Sequence, residues 1–341
     1  MTAGDTPTAP YPWQQRAWEW LLSAHAGGTL SHAYLLQGPG GLGKLDFARR
    51  LACAILCEAE PASSPCGKCR ACIQFAAGSH PDYRESAPEQ GRSAILVDQI
   101  RALSAELALS SRYGGARIAV LHPADALNGN AANSLLKTLE EPAPGTILLL
   151  VSARPAMLPA TIRSRCQRVG FTAPGRDEAL AWIGERARRQ EAELALAFTA
   201  NAPLRALDLC AQGFSEVHEA LSRDMRELLA GRRDPVPLAE QWSARDLELA
   251  LTWLSGWAID LARQRVRGPG QGRGLCRLDQ ATLATVDARR LFAYLDTVYD
   301  ALAALRTPRN RQQLAEALLL PWAGPGHKPR APAPGLARGT G

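Results

Sequence analysis

The nine residues Gln37-Gly38-Pro39-Gly40-Gly41-Leu42-Gly43-Lys44-Leu45 constrain this chain more than any other stretch. Four glycines packed so closely let a backbone wrap until its N–H groups, and the start of a following helix, face phosphates, with Lys44 reaching their charge. A loop of this kind needs a strand before it and a helix after it, and the flanks comply. Ala33 to Gln37 reads as a short strand and Leu45 to Leu56 as a helix. Gly38, Gly40, Gly41, Gly43 and Lys44 are therefore candidate nucleotide-binding residues.

The same alternation continues to about Phe171. Short apolar runs at Ile95 to Val97, Arg117 to Leu121, Thr146 to Ser152 and Gln167 to Phe171 predict further strands. Amphipathic stretches at Asp98 to Ser110 and Ala131 to Glu141 predict helices between them, the second closed by Pro142 and Pro144. Together these give a parallel α/β sheet covered by helices on both faces. After Phe171 the strand pattern stops, and Leu247, Leu251, Leu254, Ala258 and Leu261, then Leu291, Leu295, Val298, Leu302 and Leu305, recur at helical spacing. The fold class is thus α/β followed by all-α. At 341 residues the chain exceeds a usual single domain, and its parts are expected at 1–171, 172–212 and 213–323, with a disordered tail at 324–341 that is rich in Pro, Gly and Ala.

Two positions speak against hydrolysis. Leu45 stands where a Ser or Thr hydroxyl would coordinate Mg²⁺, and a branched alkyl group offers that ion no oxygen. The strand Arg117 to Leu121 continues as His122-Pro123, where an ATPase would carry an Asp-Glu pair. Asp125 is the nearest acid, two residues beyond the place of the missing Glu. Mg²⁺ binding and ATP turnover by this chain are therefore not expected, whereas ATP binding stays open, because a loop can keep its glycines for packing alone.

Five of the eight cysteines fall between Cys53 and Cys72. Cys57, Cys66, Cys69 and Cys72 follow the spacing Cys-x8-Cys-x2-Cys-x2-Cys, and four thiolates suit a closed, structural Zn²⁺ site in a module at 57–72. Cys53 sits one helical turn before Cys57 and competes with it as a ligand, but Cys57 is favoured because it lies at the end of the predicted helix whereas Cys53 falls inside it. No apolar run reaches the roughly 20 residues that span a bilayer. Met1 to Trp13 lacks a basic segment followed by an apolar core, so no secretion signal and a cytoplasmic location are expected. The net charge of +6 is compatible with a polyanionic partner, and Arg263 to Arg277 holds five arginines without an acid, yet no aromatic residues interleave there as stacking platforms.

Taken in order, the glycine loop, the four cysteines, His80-Pro81-Asp82, Leu135-Leu136-Lys137-Thr138-Leu139-Glu140-Glu141-Pro142 and Ser164-Arg165-Cys166 resemble bacterial sliding-clamp loader subunits of the AAA+ class over roughly residues 13 to 210. Within that family the chain looks like the delta-prime kind of DNA polymerase III, since the gamma or tau motor keeps both the hydroxyl and the Asp-Glu pair. The resemblance implies an AAA+ P-loop α/β domain with a zinc-binding insertion, a small helical lid at 172–212 and a helical collar at 213–323. It implies that Arg165 enters a neighbouring subunit's ATP site as an arginine finger, with Arg163 the weaker candidate, and that Arg205 is the counterpart of a nucleotide-sensing Arg. The sensing Arg usually follows Gly-Ser, whereas this chain has Ala200-Asn201. The implied partners are gamma or tau and delta subunits in a five-subunit ring, and through them the sliding clamp and primed DNA. The competing readings are an active gamma/tau-like motor ATPase, and a zinc-stabilised DNA-binding module with a relic P-loop.

Overall fold

The computed structural model describes residues 9–113, 115–184, 186–268, 272, 274–276, 278, 286–305 and 310–323. The chain divides into two compact units, Met1–Ala179 with Ala202–Arg205, and Leu180–Asn201 with Ala206–Gly341.

The first unit is built on five parallel strands, β1 (Ala33–Gln37), β2 (Tyr83–Ser86), β3 (Arg117–Leu121), β4 (Thr146–Ser152) and β5 (Gln167–Gly170). Their order across the sheet is β2-β3-β4-β1-β5. The central strand β4 pairs with β3 through Ala119 and Leu148, and with β1 through Leu35 and Leu150. Side chains leave a strand on alternate faces, and here both faces are apolar, as a sheet covered on two sides requires. Leu36, Val120, Leu149 and Val151 pack with Trp18, Phe47 and Leu51 on one face. Leu35, Ala119, Leu121, Leu148 and Leu150 pack with Ile100, Leu103, Leu135 and Leu139 on the other. Helices α1 (Gln15–Ala26) and α2 (Lys44–Leu56) supply the first of these layers, and α4 (Val97–Leu107) and α5 (Gly129–Glu140) the second. A short helix α3 (Arg70–Ala76) follows α2.

One expectation is corrected, and one strand lies where none was expected. Ile95 to Val97 is not a strand: Ile95 makes one isolated bridge with Leu127, and Val97 already opens α4. Gln99 accounts for this, because its side-chain oxygen accepts the Leu96 N–H at 3.0 Å and so caps the helix start two residues after Ile95. The edge strand β2 has charged Arg84 and Glu85 at its centre, both exposed, so it lacks the apolar run by which the other strands announce themselves.

The secondary structure described in the second unit is all helical. Beyond the short α6 (Ala160–Arg163) of the first unit, α7 (Arg176–Ile183) and α9 (Pro203–Ala211) each straddle the division, while α8 (Arg189–Phe198), α10 (Phe214–Leu229), α11 (Pro235–Ser243), α12 (Leu247–Arg267), α13 (Ala288–Ala304) and α14 (Arg311–Leu319) lie within the second unit. The apolar stripe from Leu247 to Leu261 is buried along α12, as are Leu291, Leu295 and Val298 of α13. Trp242 and Trp253 are fully buried, and each indole N–H is satisfied, by Asp224 and by His218, at 3.0 Å. Arg263, Arg265 and Arg267 belong to α12 and not to a loop, since the helix runs on to a C-cap at Gly268. Arg273, Arg277 and the tail 324–341 lie outside the described residues.

Candidate functional site

The glycine loop joins the end of β1 to the start of α2, and its conformation explains its composition. Gly38, Gly41 and Gly43 have φ of 144°, 74° and 71°, values that side chains resist. Space is just as restrictive. A Cβ on Gly38 would lie 2.2 Å from the carbonyl oxygen of Phe171, whereas one on Gly40 would meet nothing within 4 Å. Gly38→Ala is therefore expected to destabilise the protein by at least about 2 kcal/mol, because a backbone atom must move and φ is unfavourable. Gly40→Ala should be close to neutral. Chemical denaturation of the two variants side by side checks this.

Neighbours hold the loop from two directions. A Cβ on Gly41 would lie 2.5 Å from Arg205 Cβ, and the Leu204 N–H donates to the Gly41 carbonyl at 3.2 Å, so Arg205 stands beside the loop. The turn before it places Ala200 and Asn201 at φ of 56° and 63°, the conformation in which Gly is most at ease. On the other side, the Trp13 indole and the Gln14 amide donate to the Leu42 carbonyl at 3.0 and 2.8 Å, and Gln14 also donates to Gly43 at 2.9 Å. The Tyr11 hydroxyl donates to Asp46. Sequence reasoning passed over Tyr11, Trp13, Gln14 and Asp46, since nothing local marks a side chain whose partner lies some thirty positions away.

Lys44 is buried, and its ammonium donates to the carbonyls of Gly38, at 2.7 Å, and Pro39. Burial pulls its pKa down to about 8, opposed by the charge of Asp125. Leu45, where a hydroxyl would serve magnesium, packs against the apolar layer of Phe47 and Leu51. At the end of β3, the His122 N–H continues the sheet by donating to Ser86, and its ring Nδ1 is buried without a hydrogen-bond partner among the described residues. Burial lowers the His122 pKa, with Glu85 and Asp125 opposing and Arg49 and Lys44 assisting, so the ring sits within reach of all four charges. Asp125 is already committed: it accepts from the Ser152 hydroxyl at 2.8 Å, the Ala153 N–H at 3.2 Å and Arg154 at 3.0 Å. Burial works to raise its pKa, but these partners outweigh it and hold the carboxyl below its ordinary range. Glu85 is likewise engaged, by both arms of Arg49 and by the Tyr83 hydroxyl.

A second constellation lies beyond α2. The ligand atoms of Cys57, Cys66, Cys69 and Cys72 all fall within 4.8 Å of one another, and Sγ of Cys57 and Cys69 are 3.9 Å apart. Tetrahedral Zn–S bonds of about 2.3 Å place sulfurs about 3.8 Å apart, so the donor set fits. Local structure builds the cluster. Cys57 caps the C-terminus of α2, Gly67 at φ of 72° makes the knuckle, and Cys69 caps α3 by accepting the Cys72 N–H. Backbone N–H groups of Ala59 and Cys66 donate to the Cys57 sulfur, that of Cys69 to Cys66, and that of Cys72 to Cys69, each at 3.4 Å. Donation from the amides of Lys68 and Cys69 pulls the Cys66 pKa down to about 6, toward the thiolate a metal needs. Cys53 lies outside the foursome.

Arg165 belongs to neither constellation. Cys166 beside it is buried, anchoring the turn after α6, while the half-exposed Arg165 guanidinium pairs with Glu140 at 2.6 Å and donates to the Thr161 carbonyl at 3.0 Å. Glu140 ends α5, in the motif before β4, and Thr161 lies in α6, just ahead of Ser164-Arg165-Cys166. Arg163 differs, because its Nε is buried and has no acceptor among the described residues.

Residues 13–174 match the family model described as DNA polymerase III, delta subunit. The DNA polymerase III subunit delta' of Pseudomonas aeruginosa is 36% identical over 329 residues, covering 93% of this chain and 99% of that protein. The delta' subunit of Escherichia coli K12 is 37% identical over 201 residues, 58% of this chain and 60% of its own length. DNA polymerase III subunit tau of Bacillus subtilis is 36% identical over 160 residues, but these cover 46% of this chain and 28% of tau. Similarity to the tau protein thus stays within part of the chain, whereas similarity to the Pseudomonas protein runs nearly from end to end, and the chain belongs to the DNA polymerase III subunit delta' family.

Proposed function

We propose that this chain, a clamp-loader subunit in DNA replication, takes no part in hydrolysis at its own P-loop and lends Arg165 in trans to the ATP site of a neighbouring subunit. The observation that carries the first half is the fate of the metal positions. Leu45 is drawn into the apolar layer, His122-Pro123 closes β3 without a carboxylate, and Asp125 is held by Ser152, Ala153 and Arg154. Phosphoryl transfer depends on positioned charge, and neither Leu45 nor His122-Pro123 offers a side-chain oxygen to position Mg²⁺. Gly38, Gly41 and Gly43, by contrast, are accounted for by close packing against Phe171, Arg205 and Tyr11.

The second half rests on Arg165, a guanidinium on a turn anchored by Cys166, with five donors in a fixed fork that match phosphate oxygens. The four cysteines hold structural Zn²⁺, closing the module at 57–72. We propose further that residues 1–171 and 172–212 are the P-loop domain and lid, and that 213–323 forms the collar of a five-subunit ring with gamma or tau and delta subunits, working on the sliding clamp and primed DNA in the cytoplasm. Among the described residues no helix is long and apolar enough to cross a membrane.

The purified chain with Mg²⁺-ATP is expected to show no turnover above a no-protein control. Turnover that vanishes in Lys44→Ala would assign the motor role to this chain instead. Tight, strongly salt-dependent binding of DNA by the isolated chain, without capture of other loader subunits, would favour the DNA-binding alternative.

A further inference from the structure

Cys53 is the cysteine of the cluster region that the ligand set leaves unused. It lies on α2 four positions before Cys57, so the two share a face of that helix and both look toward the sulfur cluster. It is partly buried against the apolar layer that includes Phe47 and Leu51, which fixes its place. Its Sγ is 3.9 Å from Sγ of Cys72.

The donors around the cluster are distributed unevenly. Cys57 accepts the backbone N–H groups of Ala59 and Cys66, and Cys69 accepts that of Cys72, while Cys66 accepts that of Cys69, each at 3.4 Å, and is reached by the Lys68 amide as well. Cys72 is the most deeply buried of the four. The backbone of Gly67 acts on its sulfur, and the closest side-chain donor is Cys53. Four thiolates around a dication leave an anionic centre, and each N–H or S–H that points at a sulfur draws off part of that charge. A buried thiolate needs such a donor most, because water cannot supply one.

We infer that Cys53 is not a metal ligand but the side-chain hydrogen-bond donor to the Cys72 thiolate, its S–H adding to the backbone donation from Gly67. The inference rests on the reading of the four cysteines as a zinc centre. It also settles the competition between Cys53 and Cys57: the first serves the sulfur of a ligand, the second serves the ion.

The test is the rate at which the full-length chain surrenders zinc to a chromophoric chelator. Cys53→Ala and Cys53→Val remove the donor, the valine while keeping the space filled, and both are expected to bind one zinc per chain yet release it about tenfold faster. Cys53→Ser, whose hydroxyl can donate in place of the thiol, should stay within about twofold of the parent. Cobalt-substituted Cys53→Val should keep the visible bands of a tetrahedral four-thiolate site. Unchanged release from both Ala and Val variants overturns the inference, and so does loss of zinc or of the four-thiolate bands, which would make Cys53 a ligand. Parent protein isolated without zinc would instead reject the zinc reading itself.

Discussion

Arg165→Ala in the reconstituted loader, with clamp and primed DNA present, is expected to depress ATP turnover at the adjoining site by roughly 10³, the low end of what a trans guanidinium contributes in phosphoryl transfer. Turnover measured on the whole complex then falls to what its other sites supply. Arg165→Lys should not restore the rate, because an ammonium cannot present the planar fork that grips two oxygens at once. The isolated chain should hardly notice either change. The ion pair that Arg165 makes with Glu140 is half exposed at both ends, and such pairs contribute only about 0–1 kcal/mol. That contrast separates a catalytic contribution from a folding defect: thermal stability and assembly with partner subunits stay near the parent's while turnover collapses. A reconstituted Arg165→Ala loader that hydrolyses ATP at the parent rate would remove the residue's assigned role.

The pairing with Glu140 also marks where sequence reasoning stopped. Strands β1, β3 and β4 were legible because both of their faces are buried and their residues are almost continuously apolar. Strand β2 was not, because an edge strand with Arg84 and Glu85 at its centre earns its place through hydrogen bonds to β3, and such pairing leaves no local pattern. Ile95 to Val97 misled for the opposite reason. Its three apolar residues satisfy a strand pattern, and a single glutamine side chain three residues after Leu96 tips the segment into a helix. The phosphate loop was readable down to individual glycines, since positive φ and close backbone approach leave no substitute for them. What holds the loop in place was invisible, because Trp13 and Gln14 reach it across long stretches of chain. The cysteine foursome was readable from spacing, and Cys57 could be preferred to Cys53 because the predicted helix ends at Leu56, next to the C-cap position that Cys57 occupies.

Cys69→Ser is the substitution expected to cost the zinc module its order, because Cys69 serves two purposes at once. As a ligand it supplies one of four sulfurs, and as the residue before Arg70 it caps α3 by accepting the Cys72 N–H. Serine can still cap a helix, so the cap survives the change and the ligand does not. Structural zinc contributes apparent binding free energies on the order of 10–16 kcal/mol in small modules of this kind, and a site reduced to three thiolates forfeits a large part of that. Helix α3 has only seven residues, too few to persist in water without tertiary support. Its Phe75 packs into the apolar layer around Phe47, so the damage should spread to that edge of the sheet but leave the second unit intact. The expected result is a zinc content near zero by elemental analysis, with rapid proteolytic cleavage confined to residues 57–79. Cys210→Ser, outside the cluster, should keep its zinc and its resistance to cleavage. A Cys69→Ser protein that retains a full equivalent of tightly held zinc would remove Cys69 from the ligand set.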